Sequence, residues 1–469
     1  MDAASLIVSA VLPWSAGIAA LLALRERTRA LDAPGEMAWL AGSGYLAGAF
    51  ALTLWMRALS LAGIPFGAVA VGAPLLVLAA AGGWFAWRRD GTALVDVPLR
   101  ALRACIAAPD AGRALRVAAW VIVGTLALRY TLLAAEILWR PLYPWDAWTQ
   151  WATKARVWYE LGRVAPFVNA DVWLAGGAAY FDAAPAHPPT LPLLQVWTCI
   201  VLGRWDDALM NLPWWLIAVA LTLSTYGALR RLDATRAYAL SGAFFVSTLP
   251  MANTHVALAG YGDLPLAAYY AAAVLAFMRW HATRERSEAL IAVFLAVACT
   301  QIRSPGLAWA LTIALGAVVA LLPARGVRFA GIAGGIVLLV LAGLVRTNPV
   351  IAGHSLHLAL DPAWAGLGES AFLLGSWNLL WFGAIGAAIL AGRDLVAPAL
   401  APLSTIVGAA LLLFFAMFAF ADIRIWLAEV TLINRLMLQI APLAVSFMVL
   451  AFRAFATRMA AAPTAPVIA

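Results

Sequence analysis

The residues best placed to do chemistry lie in one stretch, Tyr143 to Gly162, which reads YPWDAWTQWATKARVWYELG. Asp146 stands there between Trp145 and Trp148. Indoles on both sides partly desolvate a carboxylate, which raises its basicity and suits it to act as a general base. Asp146 also occupies the position of a helix N-cap, so a purely structural capping role is the alternative interpretation.

The same stretch predicts an amphipathic helix that ends at Gly162 and lies in the membrane interface. Its apolar face consists of Trp148, Trp151, Ala152, Ala155, Trp158 and Tyr159. Gln150 and Lys154 follow Asp146 at i+4 and i+8, so we expect all three side chains on one face. Lys154 is the only lysine of the chain. We predict that it binds an anionic headgroup or a phosphate, with ordinary extension of the side chain to the interface as the alternative.

Further candidates lie near the end of the same loop and at the start of a later span. Asp182 and His187, the latter in His-Pro-Pro, are predicted either to contact substrate or to hold the loop. Asp263 follows the glycine turn of AGYGDLPLA, where helix capping alone would explain it. Asp263 is predicted to lie at nearly the same depth in the membrane as Asp146, so contact with substrate is the second interpretation. Tyr143 and Trp148 complete the predicted substrate contacts.

Three arginines, Arg303, Arg424 and Arg435, stand at span ends on the predicted outer side. Arginine is otherwise concentrated on the predicted inner side, so arginines on the outer side need an explanation. Binding of a phosphate or pyrophosphate ligand is one explanation, and contact with lipid headgroups is the alternative. Arg129 and Glu136 lie within one span, seven residues apart, and are predicted to belong to a structural polar network.

Composition indicates an all-α polytopic membrane protein. Of 469 residues, 64% are hydrophobic, and the mean hydropathy is +0.89. A soluble domain this apolar would have too little polar surface. The net charge of +8 is typical of basic cytoplasmic loops, so we predict no nucleic-acid partner. The three cysteines are far apart in sequence and indicate neither a disulfide framework nor a metal site.

Apolar segments predict about 13 transmembrane helices, with interfacial helices in the first large outer loop. The candidate spans are 4–24, 37–59, 64–87, 116–138, 208–229, 236–256, 262–280, 288–302, 305–322, 328–346, 369–391, 396–420 and 434–452. With the N-terminus outside, twenty of the 31 basic residues fall on the cytoplasmic side, as the positive-inside rule requires. This count depends on segment 189–203 not crossing the membrane, which its short length and prolines favour. A tilted full crossing is the alternative.

The chain is divided by these patterns into three regions. Residues 1–115 form a three-span extension with a basic cytoplasmic loop, residues 116–322 a core module with outer loop 139–207, and residues 323–469 a C-terminal transmembrane module. No nucleotide-binding motif such as G-x-x-x-x-G-K-[ST] occurs in the sequence. Any activated substrate would therefore be carried by something other than a protein-bound nucleotide.

The order of these motifs resembles the GT-C class of integral-membrane glycosyltransferases. The likeness rests on the Trp-flanked Asp146, the following interfacial helices, His-Pro-Pro before a Leu-rich helix, and GYGDLPL opening a later span. It is close to the family 39 type, which includes protein O-mannosyltransferases and bacterial lipid A aminoarabinose transferases. It covers residues 116–322, with a weaker echo in LINRLMLQIAPLA at 433–445.

The resemblance implies a sugar donor linked to polyprenyl phosphate, and an acceptor that is a glycan, a lipid or a protein. Transfer would invert the anomeric centre on the periplasmic face of a bacterial inner membrane. Asp146 would act as base or orient the acceptor, and Asp263, the second predicted catalytic residue, would line the same cavity. Lys154, Arg303 and Arg435 would hold the leaving phosphate.

The sequence departs from that class in two ways. Three spans precede the one that leads to Asp146, and Asp146 is followed by Ala147 and Trp148 rather than by a second acid. We therefore predict no cofactor, with a divalent cation as the alternative. A transporter or flippase of a lipid-linked substrate is the alternative function, although the sequence has no internal repeat of the kind transporters use. An inactive scaffold is the third possibility.

Overall fold

The computed structural model describes residues 2–26, 30–107, 112–176, 179–322, 325–344, 350–351, 354–355, 364–420 and 431–461. These residues are almost wholly helical, which confirms the predicted all-α class. Two small sheets accompany the helices. Strands β1 (Phe167–Val168) and β2 (Tyr180–Phe181) pair in parallel, and β3 (Val350–Ile351) and β4 (His354–Ser355) pair antiparallel.

The helices are numbered here in chain order. They are α1 Asp2–Leu24, α2 Glu36–Leu61, α3 Ala68–Asp90, α4 Ala93–Ala107, α5 Arg113–Trp139, α6 Thr153–Leu161, α7 Ala170–Leu174, α8 Thr190–Leu202, α9 Leu212–Arg231, α10 Arg236–Thr248, α11 Pro250–Ala257, α12 Asp263–Thr283, α13 Arg286–Thr300, α14 Gly306–Leu321, α15 Gly326–Leu344, α16 Trp364–Gly368, α17 Leu380–Ala391, α18 Ala401–Phe420 and α19 Thr431–Ala461. A π-helical turn at Ala147–Ala152 precedes α6, and another at Glu369–Leu373 follows α16. Two 3₁₀ turns occur at Leu209–Asn211 and Gly392–Val396.

Six helical segments in the described part of the chain are long and apolar enough to cross a membrane. They are Asp2–Leu24, Glu36–Leu61, Ala68–Asp90, Arg113–Trp139, Leu209–Arg231 and Leu432–Ala461. A hydrocarbon core about 30 Å thick needs about 20 apolar residues in a helix. Several long apolar helices indicate a membrane protein, while the total of about 13 crossings stays a prediction.

One predicted span, 236–256, is broken in the middle. Helix α10 ends at Thr248 and α11 begins at Pro250, because proline has no N–H for the helix ladder and clashes with the preceding turn. The Asn253 side chain donates to the Ser247 and Leu249 carbonyls at 3.0 and 2.7 Å, and Arg129 Nε donates to Asn253 Oδ1 at 2.8 Å. Arg129 thus belongs to a structural network, as predicted.

Segment 189–203 forms the short helix α8, whose two ends lie at the same end of the bundle. Thr190 at its start contacts Arg57 near the end of α2, and Arg204 just after it pairs with Asp2 at the start of α1. Thirteen residues rise only about 20 Å, too little to span a membrane. That this segment enters and leaves the membrane on one side stays a prediction.

Helix α12 lies at the centre of the bundle and is buried along nearly its whole length, from Asp263 to Met278. It packs against α9, α13 and α19. The hydrophobic core around it is continuous and takes residues from all three regions predicted from sequence, so the division at 115 and 322 stays a prediction. The start of this buried helix fixes Asp263 in position.

Candidate functional site

Asp263 is the most tightly held charged residue at the end of the bundle where α12 and α19 begin. Its carboxylate is fully buried. Arg303, from the turn between α13 and α14, pairs with Oδ1, and Arg435 Nε on α19 donates to Oδ2 at 2.9 Å. A buried carboxylate is tolerated when it is both paired and hydrogen-bonded. The Asp263 carboxylate therefore orients two guanidinium groups.

Gln439, one turn after Arg435, completes the surroundings of Asp263. Its Nε2 donates to Asp263 Oδ1 at 2.7 Å, and its Oε1 accepts from Trp309 Nε1 at 2.7 Å. An indole N–H can only donate, so the bond from Trp309 fixes which end of the amide faces the carboxylate. All three side chains are buried. The chain of bonds locks Asp263 between α12, α14 and α19.

Asp146 joins this cluster through Arg435. Arg435 Nη1 donates to Asp146 Oδ2 at 2.7 Å, so a single guanidinium contacts both predicted catalytic aspartates. The face of that guanidinium lies 4.4 Å from the Tyr261 ring centroid. Burial, and then the nearby Asp146 carboxylate, raise the pKa of Tyr261, so its hydroxyl stays neutral. The structure thus brings Asp146, Asp263 and a basic side chain into contact, while their predicted place in one outward cavity stays a prediction.

A glycine turn allows the two aspartates to approach. Gly260 has a φ of +101°, and a β-carbon there would lie only 2.5 Å from Cβ of Ala147. Only glycine fits this position without moving the backbone that follows Asp146. The predicted turn in GYGD thus has a second purpose, because it lets the turn before α12 touch the helix that begins after Asp146.

The helix after Asp146 differs from the predicted one. Its first turn, Ala147–Ala152, is π-helical, and the Asp146 side chain does not cap it. The wider turn shifts the phase of the residues that follow, so Lys154 faces the protein rather than the predicted polar face. The apolar face is also covered by protein: Trp151, Ala155 and Trp158 are buried in the core. Gly162 ends α6 with a φ of 64°, as predicted.

Three predicted substrate contacts lie on this helix or just before it, outside the ion-pair cluster. Tyr143 is exposed and stacks with Arg140 at 5.3 Å, and Trp148 is exposed and packs edge-on against Trp145. Gln150 is half-buried. Their exposure leaves them free to contact a ligand beside Asp146, and their roles stay predictions.

Lys154 and Asp182 form a separate buried pair. Lys154 Nζ lies 3.1 Å from Asp182 Oδ1 and donates to the Ala184 carbonyl at 2.7 Å. Asp182 also accepts from the Ala184 backbone N–H at 2.6 Å. Burial lowers the pKa of Lys154, while Asp182 acts in the opposite direction. Lys154 was predicted to bind a phosphate, but it is buried in this pair; for Asp182 the structure favours the second predicted role, which is to hold the loop that leads to His187.

We expect Lys154→Met to destabilise the fold by about 3 kcal/mol, because it leaves the buried Asp182 carboxylate without a counterion. Thermal unfolding in detergent measures this loss. The double variant Lys154→Met/Asp182→Asn removes the uncompensated charge and should recover part of it. If Lys154→Met instead unfolds like the wild type but binds lipid phosphate more weakly, Lys154 is a ligand and not a loop anchor.

His187 lies close to the cluster and stacks flat on Trp151, with ring centroids 4.6 Å apart. Burial, and then the positive charges of Arg303 and Lys154, lower the pKa of His187 to about 4. The imidazole is therefore neutral at pH 7 and can accept or donate a hydrogen bond beside Asp146. Its predicted contact with substrate fits this position and stays a prediction.

Stability should depend on the protonation of His187. Its pKa in the folded protein is about 4, against an ordinary value near 6.5, so the unfolded chain takes up a proton first as the pH falls. We expect the unfolding temperature to fall between about pH 6.5 and pH 4 and to be insensitive to this group above that range. His187→Phe keeps a ring to stack on Trp151 but cannot titrate, and its unfolding temperature should fall less over that range. Equal pH dependence in both proteins would contradict the assignment.

Sequence reasoning missed three residues around the site. The sequence signal for Gln439 is its position one helical turn after Arg435. The signal for Tyr261 is an aromatic residue inside the glycine turn. Arg57 gave a signal as a charge inside the apolar α2. It donates to Gln301 Oε1 at 2.8 Å and to Thr190 Oγ1 at 2.5 Å, which ties the segment after His187 to the turn that carries Arg303.

Two predictions are not decided by the structure. Arg424, the third outer arginine, lies outside the described residues. Within the described ranges, no three His, Cys, Asp or Glu side chains are grouped as a metal site requires. A reaction without a metal ion therefore stays a prediction.

No protein-family model matches the chain, and neither a curated protein nor a solved structure matches it. The likeness to GT-C glycosyltransferases accordingly rests on the sequence motifs alone. The geometry of the cluster indicates its possible chemistry without that likeness. Two guanidiniums held side by side can bind a phosphate, and a partly exposed carboxylate next to them can accept a proton.

Proposed function

We propose that the protein is a membrane glycosyltransferase that moves a sugar from a polyprenyl-phosphate donor to an acceptor, with inversion at the anomeric carbon. The single observation that carries the proposal is the cluster in which Arg435 bridges Asp146 and Asp263 while Arg303 pairs with Asp263. It supplies a base and an anion site side by side, at the end of a bundle of apolar helices.

The anion site would consist of Arg303 and Arg435. Their side chains are 13% and 18% exposed, so neither is fully enclosed while Asp263 pairs with both guanidiniums. Arginine suits phosphate because its planar fork presents several N–H donors at once. Fixed cations next to a leaving phosphate stabilise the negative charge that develops on it during transfer.

Asp146 would act on the acceptor. Its side chain is 26% exposed, whereas Asp263 is fully buried, so Asp146 is the carboxylate that a second substrate can reach. The acceptor hydroxyl gives its proton to Asp146, its oxygen bonds to the anomeric carbon, and the bond from that carbon to the phosphate oxygen breaks. The phosphate leaves with the electron pair, so atoms and charge balance. Asp263 then serves as a positioning residue.

The proposal places this chemistry on the outer, periplasmic face of a bacterial inner membrane. The excess of arginine in the predicted cytoplasmic loops supports that orientation. A lipid tail would lie between apolar helices while its phosphate reaches the cluster. The acceptor would be a glycan, a lipid or a protein that meets the exposed aromatic residues near Asp146.

Transfer assays on the purified protein in nanodiscs test this function directly. The protein is incubated with a panel of radiolabelled polyprenyl-phosphate sugars and candidate acceptors, and the products are separated by chromatography. Release of polyprenyl phosphate together with a product of inverted configuration supports the proposal. Movement of the intact donor across a liposome membrane without cleavage would instead support a flippase and overturn the proposal.

A further inference from the structure

Among the residues that the structure describes, the cluster carries no surplus positive charge for a phosphate. Asp146 and Asp263 contribute two negative charges, and Arg303 and Arg435 contribute two positive ones. The neighbouring Lys154–Asp182 pair is balanced in the same way. A phosphate that entered this arrangement unchanged would meet a site of zero net charge, with a carboxylate already bonded to one of its two arginines.

The contacts of Arg435 indicate which partner can leave. Its Nε is bonded to the buried Asp263, and its face lies on the Tyr261 ring, so the guanidinium is fixed from two sides. Asp146 is the more exposed partner, and its side chain makes no capping bond to the helix that follows. Rotation of the Asp146 side chain would free Arg435 without disturbing the buried bonds of Asp263.

We infer that in the protein without donor the Asp146 carboxylate occupies the place of a phosphate, and that the lipid phosphate of the donor displaces it from Arg435. This inference rests on the proposed function and adds an order of events to it. Displacement gives the arginine pair a net positive charge for the phosphate. It also frees the Asp146 carboxylate from its bond to Arg435, so it can take a hydrogen bond from the acceptor hydroxyl only when the donor is bound.

Equilibrium binding of a polyprenyl monophosphate, without any sugar, tests the displacement. The full-length protein is titrated in detergent by calorimetry. If Asp146 competes with the phosphate, Asp146→Asn should bind this lipid more tightly, by about fivefold for the loss of one partly exposed ion pair. The same replacement should lower transfer activity, so affinity and activity change in opposite directions. Unchanged or weaker binding by Asp146→Asn overturns the inference.

A double-mutant cycle separates displacement from simple charge repulsion. In an Arg435→Gln background there is no ion pair to break, so Asp146→Asn should no longer tighten binding. A gain that persists in that background means that Asp146 merely repels the phosphate, which also overturns the inference. If Arg435→Gln does not fold, Arg435→Lys, which keeps a positive charge beside Asp263, takes its place, and the gain from Asp146→Asn should be reduced in it.

Two further ligands identify the source of the phosphate. Inorganic phosphate and phosphatidic acid in nanodiscs are titrated in the same way. Tighter binding of all three by Asp146→Asn supports displacement by any phosphate, and tighter binding of the polyprenyl lipid alone supports a site that also recognises the lipid chain. Displacement without any sugar transfer would leave the inference standing and refute the proposed glycosyltransferase. If sugar transfer requires Asp146 but Asp146→Asn does not bind the lipid phosphate more tightly, the proposed function stands and the displacement is refuted.

Discussion

Asp146→Asn should reduce sugar transfer by about 10²- to 10⁴-fold, the usual contribution of a positioned general base. Asparagine has nearly the same shape as aspartate, so it preserves the position between Trp145 and Trp148 while it removes the ability to accept a proton. Arg435 keeps its bond to the buried Asp263, so the cluster stays assembled. Initial rates of transfer at saturating donor and acceptor measure the effect on the chemical step.

Asp171→Asn is a matched control for this experiment. Asp171 lies in the same outer loop, on the short helix α7, and is exposed. The same chemical change at this position should leave transfer unchanged. The unfolding temperature of Asp146→Asn should stay close to that of the wild type, because the ion pair it loses is partly exposed and contributes about 1 kcal/mol or less. Wild-type turnover by Asp146→Asn would remove Asp146 from the mechanism.

The sequence predicted which residues form the cluster better than it predicted the geometry of the individual helices and turns. Asp146 was recognisable by its flanking tryptophans and Asp263 by the glycine turn before an apolar span. Arg303 and Arg435 were recognisable as arginines on the predicted outer side, which is otherwise poor in arginine. Predicting all four on one side of the membrane required the count of basic residues in the loops and a segment 189–203 that does not cross. Their direct contact depends on how α12 and α19 pack, which no local pattern specifies.

The errors have local physical causes. The π-helical turn after Asp146 breaks the 3.6-residue period on which the predicted face of Lys154 depended. The aromatic face of α6 is as suitable for a protein core as for a membrane interface, and hydrophobicity alone does not distinguish the two. Pro250 was visible within a predicted span, but the side chain of Asn253 that makes the break tolerable acts through the folded backbone.

Asp263→Asn should be the most destabilising single replacement at the site. It removes the charge that compensates two arginines whose side chains are mostly buried. Breaking a buried ion pair by removing one partner typically costs about 3–5 kcal/mol, because the remaining charge is left without compensation. Arg435 keeps Asp146 as a partner, whereas Arg303 loses the carboxylate to which the structure pairs it. Thermal unfolding in detergent, followed by tryptophan fluorescence, measures the loss.

Two variants show whether this loss comes from uncompensated charge. Asp182→Asn replaces an equally buried aspartate that pairs with a single cation, Lys154, in the part of the chain that the structure describes, and should destabilise the protein less than Asp263→Asn. Adding Arg303→Gln to Asp263→Asn removes the stranded charge and should restore part of the stability, even though it deletes a second polar group. If the double variant is less stable than Asp263→Asn by the full cost that Arg303→Gln has in the wild type, the two residues are not coupled. Asp263 would then stabilise α12 by itself rather than by holding the arginines in place.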